Sequence, residues 1–283
     1  MSQLVFNHIP KSAGTSLRRA LVKAIGAGET VEGFDRSLFG GFDGFESLAP
    51  VLRATNVDAP EELPPSPQLV AGHYAPSTTR ARYPGARHIT VLREARSRLL
   101  SHWLFWRTHT DADLGAWGRW ADHVNRSKNP LLDFLQDPAI AGQIDNLSLR
   151  MLLYPHPLLP EADHIPVHAE DRLLAEAKAL IDSLDFADVI ENPRFAQNLS
   201  DWLGSPVVME RLNETQPMPE QYRTPLVAEL TPAAMGALAR CTRLDDELWR
   251  HVAERRLPPG EAEAFREASY AQAIARHALL MAG

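Results

Sequence analysis

The sequence predicts a three-layer α/β fold, with a central, mainly parallel sheet flanked by helices. Short apolar runs alternate along the chain with segments of helical period. The residues suited to ligand binding fall where those apolar runs end, the carboxyl ends of strands being where open parallel sheets hold their ligands. With 283 residues, 45% of them hydrophobic and 23% charged, and no internal repeat, the chain reads as one substantial domain.

The first element is the most informative. Leu4, Val5 and Phe6 read as a buried strand that Pro10 ends. A short turn, Lys11-Ser12-Ala13-Gly14, then enters a helix near Thr15. Leu17, Ala20, Leu21, Ala24 and Ile25 form one apolar stripe along that helix, and Gly26 supplies its stop. Gly14 lets the backbone fold tightly around a ligand. The unpaired N–H groups and positive dipole end of the helix face the turn, where Lys11, Ser12, Thr15 and Ser16 add a charge and three hydroxyls. This is an anion cradle. Only four of the 29 basic residues are lysines, so the chain's default cation is arginine and a lysine here is notable. Its compact ammonium suits a point contact on a phosphate oxygen.

Residues 58–67, rich in Pro and Glu, read as a crossing loop. A short strand over 68–74 follows, ending at Gly72-His73, and another over 88–92 ends at Arg93. The next segment, 95–107, reads as a helix carrying Leu99, Leu100, Trp103 and Trp106 on or near one face, with Ser101 about two turns in. Arg93 can pair in a fork with a phosphate, and Ser101 is an added donor. Residues 80–107 hold seven arginines against one acid, Glu94. Most of that charge is read as framing the ligand, with a solvated helix face as the bland alternative for Arg96 and Arg98.

A helical insertion is expected around 108–150, centred on 111–130, and a helical region around 231–283. Thr231-Pro232 is a good N-cap and first helical position, and an Ala-rich helix from Gly260 onward would dock on the core or on a second subunit, a homodimer being allowed. Trp103, Trp106, Trp117 and Trp120 offer aromatic surface for an acceptor, but core packing is the better reading.

The nucleotide P-loop pattern G-x-x-x-x-G-K-[ST] is not met, because Lys11 precedes the single glycine. HIPKSAGTSL resembles instead the 5′-phosphosulfate loop of sulfotransferases that use 3′-phosphoadenosine 5′-phosphosulfate (PAPS), nearest the branch of bacterial enzymes and heparan sulfate 2-O-sulfotransferases. The resemblance implies a P-loop-like fold and PAPS as sulfuryl donor. It implies that Lys11, Ser12, Ala13, Gly14, Thr15 and Ser16 hold the 5′ end, and that Arg93 and Ser101 hold the 3′-phosphate. The family often has Asp-Pro or Asn-Pro after this arginine, where the chain has Glu94-Ala95. It further implies His73 as general base and Lys11 as the group that stabilises the leaving phosphate, with no metal required. His8 is the nearest rival base and reads as a brace for the loop. Shorter echoes follow in family order: Asp145-Asn146-Leu147 before Arg150, the strand-like 186–190 with Glu191, Arg211-Leu212-Asn213-Glu214, and Asp245 to Trp249.

The lone Cys241 excludes an internal disulfide. The strand beginning at Leu4 leaves no room for a signal peptide, no apolar run is long enough to span a membrane, and a cytoplasmic bacterial location is expected. A net charge of −7 argues against nucleic acid as a partner. The acceptor is expected to be a hydroxyl, on a carbohydrate or another small metabolite. Two alternatives stay open: a P-loop nucleotide kinase and a non-catalytic nucleotide-binding module.

Overall fold

The computed structural model describes residues 3–39, 45–210 and 217–282. The echo at Arg211 to Glu214 lies outside them. Five parallel strands form the central sheet in the order β2-β5-β1-β6-β7: β1 (Leu4–Asn7), β2 (Thr30–Val31), β5 (Leu69–Gly72), β6 (Arg87–Leu92) and β7 (Phe186–Val189). A separate parallel pair joins β3 (Phe34–Asp35) to β4 (Asn56–Val57).

Strands β1, β5 and β7 are buried throughout and β6 in all but its first residue, as expected of a parallel sheet covered by helices, while the edge strand β2 is partly buried. Leu4 and Phe6 of β1 pack with Leu17, Ala20 and Leu21 of α1 (Gly14–Ile25) and with Phe195 and Leu199 of α12 (Phe195–Leu203). Val5, between them, packs the other way, with Val70, Leu63, Tyr74 and Tyr83. The period of two along β1 therefore supplies both helical layers. The apolar stripe read along α1 faces the sheet, and Gly26 ends the helix in the left-handed conformation at φ 60°. The helix begins at Gly14, one residue before the expected start.

Two very short helices, α2 (Arg36–Phe39) and α3 (Pro50–Arg53), precede β4. Within the expected loop at 58–67, Pro60–Glu62 makes one 3₁₀ turn. Next come α4 (Pro76–Arg82) after β5 and α5 (Ala95–Arg107) after β6. The expected insertion is a run of short helices: α6 (Asp111–Leu114), α7 (Trp120–Asn125), α8 (Leu131–Gln136), α9 (Ala141–Ile144) and α10 (Leu147–Leu153). Trp103, Trp106 and Trp120 are buried in the core this run builds over α5, and Trp117 is partly buried against it.

A long helix, α11 (Val167–Asp182), leads into β7. After α12 and the short α13 (Leu226–Glu229), the chain ends in α14 (Pro232–Cys241), α15 (Arg243–Arg256) and α16 (Ala262–Ala282). Thr231 caps α14 through its hydroxyl, with Pro232 at the first helical position. The terminal helix docks on α5: Arg96 pairs with Glu267 at 2.9 Å and its guanidinium stacks on Tyr270 at 4.1 Å. Among the described residues, no helix is long and apolar enough to cross a membrane.

Candidate active site

Strand order brings the sequence motifs together. β5, β1 and β6 are neighbours, in a register that sets Asn7 beside Gly72 and Phe6 beside Ile89. Their carboxyl ends therefore release the loop at 8–13, His73 and Arg93 along one edge, at strand spacings of about 4.8 Å.

The turn from β1 to α1 is tightly wound. Lys11 and Ala13 both adopt left-handed backbone, at φ 67° and 58°, an arrangement that turns successive N–H groups toward a common centre. Ala13 is the N-cap of α1 and supplies no side-chain cap, so among the described residues the helix's first N–H groups have no capping side chain. Ser12 is 1% exposed and its Oγ has no hydrogen-bond partner. Gly14 is a steric necessity, because a Cβ there would collide with the His8 ring. His8 is thus the seat of the turn. Thr15 is exposed on the first turn of α1, while Ser16 is buried.

Arg93 closes the turn from the neighbouring strand, its Nη1 donating to the Lys11 carbonyl at 3.1 Å. Lys11 extends its Nζ over the Phe105 ring, 4.0 Å from the centroid. Ser101 is half-buried one turn before Phe105, so α5 presents both from one face. Burial, then the charges of Arg93 and Arg276, push the Lys11 ammonium down to about 8. Burial also lowers Arg93, against the pull of Glu191 and Glu94.

His73 is fixed by its backbone and by its ring. Its N–H donates to the Gly33 carbonyl at 2.8 Å and its carbonyl accepts from the Asp35 N–H at 3.2 Å, joining the β5 end to the small β3 strand. Gly72 permits this approach, since a Cβ would strike the Gly33 carbonyl and the Tyr74 ring. The ring Nδ1 lies 2.7 Å from the His8 carbonyl. A carbonyl only accepts, so Nδ1 carries the proton and Nε2 keeps its lone pair. Burial lowers the His73 pKa more than that bond raises it, leaving a neutral imidazole. The rings of His8 and His73 sit 4.4 Å apart, and burial drives His8 well below its ordinary value.

Glu94 and Glu191 hold the edge. Glu94 is fully buried and caps α5, accepting from the Ser97 N–H at 2.8 Å and the Ser97 hydroxyl at 2.6 Å. It does the work of a helix cap where the sulfotransferase pattern often has Asp-Pro or Asn-Pro. Glu191 accepts from the Glu94 N–H at 3.0 Å, from Trp249 Nε1 at 2.9 Å and from Ser269 Oγ at 2.9 Å, tying β6, α15 and α16 together.

No protein-family model matches the chain, and no curated protein matches it. The site must be read from its own residues. Several members carry no sequence signal of their own. Phe105 looks like any helical aromatic, and His102, 4% exposed with both ring nitrogens unpartnered, looks like one histidine among 11. The solvated helix face weighed for Arg96 and Arg98 is not what forms. Arg98 is 0% exposed, its Nε 3.6 Å from Asp245 Oδ2, because its side of α5 faces α15 instead of solvent. Arg96 spans Glu94 at 2.6 Å and Glu267 at 2.9 Å.

Proposed function

We propose that this protein is a PAPS-dependent sulfotransferase on a P-loop-like three-layer fold, moving a sulfuryl group to an acceptor hydroxyl. One observation carries the reading. Two anion-binding motifs 82 residues apart meet at the Arg93–Lys11 bond, beside the uncapped start of α1. The donor's chemistry fits these residues: the orphaned Ser12 hydroxyl, the left-handed backbone on either side of it and the start of α1 suit a phosphate-like group.

When bound, PAPS supplies the transferable sulfuryl group and a phosphate leaving group. Lys11, the α1 N-terminus, Ser12, Thr15 and Ser16 would hold its 5′ end, and Arg93 with Ser101 its 3′-phosphate. The chain's own work is then electrostatic and acid–base. His73 Nε2 takes the acceptor hydroxyl's proton as that oxygen bonds to sulfur, while Nδ1–H stays on the His8 carbonyl. The Lys11 ammonium and the helix dipole meet the negative charge that grows on the leaving phosphate oxygen.

Calorimetry with the desulfated product PAP and with adenosine 5′-phosphosulfate tests the reading. PAP should bind much more tightly, because only it carries a 3′-phosphate, and Arg93→Ala should remove about 1.5–3 kcal/mol of that affinity. Equal affinities overturn it. A preference for ATP with Mg²⁺ and turnover of that complex would assign a nucleotide kinase instead, and PAP binding with no transfer to any acceptor would assign a binding module.

A further inference from the structure

Lys11 has an unusual partner for a lysine of this chain. Lys23, Lys128 and Lys178 each pair with a carboxylate, Glu210 at 2.6 Å, Asp111 at 3.0 Å and Glu247 at 3.7 Å. Lys11 is the remaining lysine. Among the described residues it pairs with no carboxylate, and its ammonium lies over the Phe105 ring, 4.0 Å from the centroid. Lys128 also lies over a ring, Tyr222 at 4.7 Å, but there Asp111 completes the contact. The ring under Lys11 is braced. His109 meets it edge-on, with centroids 4.9 Å apart and planes at 88°, and the His109 ring is fixed in turn by the Phe105 carbonyl, 3.0 Å from its Nδ1, and by the Trp117 ring at 5.2 Å. Phe105 nonetheless stays 42% exposed. An aromatic side chain that is braced at its edge, open to solvent and topped by a cation is not explained by core packing.

We propose that Phe105 is the positioning residue of Lys11: its ring face holds the ammonium charged beside the cradle and gives it up to the phosphate oxygen of an arriving donor. The inference rests on the sulfotransferase reading and adds to it the group that keeps Lys11 ready. Relative strength makes the exchange work. The face of a phenyl ring attracts a cation but accepts no proton, so it favours the ammonium without neutralising it. A charge-assisted hydrogen bond to phosphate is the stronger contact, so the ligand displaces the ring. A carboxylate in the same place would hold the ammonium as an ion pair and compete with the ligand for it. The backbone of Lys11 stays in place, because Arg93 holds its carbonyl at 3.1 Å, and the flexible four-carbon stem makes the move. The other groups that bear on the Lys11 charge are Arg93 and Arg276, both positive, and the histidines that feel it, His8, His73, His102 and His277, are kept neutral by burial.

The test titrates Lys11 in the full chain without ligand, by acylation over about pH 7–10 with the labelled lysines resolved by mass spectrometry. Phe105→Leu keeps an apolar side chain and removes the ring face. It should move the Lys11 midpoint down by about half a unit to one unit, while those of Lys23 and Lys178 stay where they are. The midpoint is the readout because a smaller side chain also changes access, which alters the rate alone. Phe105→Tyr keeps the face and should keep the midpoint. The loss of PAP affinity at high pH should shift downward together with the midpoint in Phe105→Leu, since the same proton is involved. Phe105→Met is a second ringless variant for the case in which the leucine protein folds poorly, and thermal unfolding checks both. An unmoved Lys11 midpoint in a folded ringless variant, or an equal downward shift in Phe105→Tyr, overturns the inference. If wild-type protein does not bind PAP, the sulfotransferase reading falls, and the acylation profile still decides whether Phe105 holds the ammonium.

Discussion

Two clusters of buried polar side chains in this protein differ in their bonding. In the first, Asn146 Oδ1 accepts from the N–H groups of Leu244 and Asp245, at 2.8 and 3.2 Å, while Asp245 accepts from those of Ser148 and Leu149, at 3.0 and 2.9 Å. This reciprocal clasp satisfies the starts of α10 and α15 together. Beside it Arg150 donates to Asp145 Oδ2 and to the carbonyls of Asp145, Pro160 and Asp163. Around the cradle the pattern is opposite. Ser12 Oγ and both nitrogens of the nearby His102 are buried with no partner among the described residues. Each unmatched buried group costs about 1–3 kcal/mol. The clasp satisfies its backbone groups through side chains and leaves its orphaned nitrogens on the buried Arg98 beside Asp245, 3.6 Å away, whereas in the cradle the orphaned group is a hydroxyl on the turn itself.

Variants can break or sharpen that contrast. The largest effect is expected at His73: with saturating acceptor, His73→Ala should lower kcat by about 10²–10⁴ and leave PAP affinity nearly intact, since its proposed role is toward the acceptor hydroxyl and not the phosphates. Near-normal turnover would make His73 structural and move the base role to His8. In the clasp the loss should be of stability instead. Arg150→Ala strips a buried carboxylate of its partner and should cost about 3–5 kcal/mol in urea unfolding, with PAP affinity of the folded protein unchanged. A fall in affinity without a fall in stability would erase the distinction between the clusters.

The pH dependence of binding is a smaller effect with a definite sign. In the free protein Lys11 is pushed down to about 8, so it holds its proton below that pH and loses it above. A bound phosphate favours the ammonium, so binding takes up a proton there. PAP affinity should be level between about pH 7 and 8 and fall above, approaching tenfold per pH unit. Titrations in buffers of different ionisation enthalpy report the proton directly, and a flat profile up to pH 9.5 (about the upper end of the useful range) would remove Lys11 from the contact. Smallest is Ser12→Ala. It removes an orphaned hydroxyl, so thermal stability should hold or rise, while PAP affinity drops by about 0.5–1.5 kcal/mol. Loss of stability at unchanged affinity would mark Ser12 as part of the packing.

Much of this architecture is legible in the residues themselves. The apolar run from Leu4, the stripe from Leu17 to Ile25 and the stop at Gly26 place β1 and α1 to within a residue, because period and punctuation are local properties of the chain. The helix expected over 95–107 forms with those bounds, and Thr231-Pro232 opens α14 as written. The cradle is equally local: a strand, a tight turn and a helix N-terminus suffice to gather N–H groups. What the sequence could not fix is which distant residues face it. Strand order in the sheet sets His73 and Arg93 on either side of the loop, and nothing in a linear pattern encodes that β5 and β6 flank β1. Arg98, open in the sequence to a place framing the ligand or on a solvated helix face, is buried against Asp245 because α15 packs over it. The Ala-rich terminal helix carries no motif that announces its place, and Glu191 and Arg96 tie it to the start of α5 through Ser269 and Glu267. Local chemistry is written in neighbouring residues, whereas the meeting of residues far apart in the chain is decided when the whole core closes, through packing and bonds that exist only in the folded state.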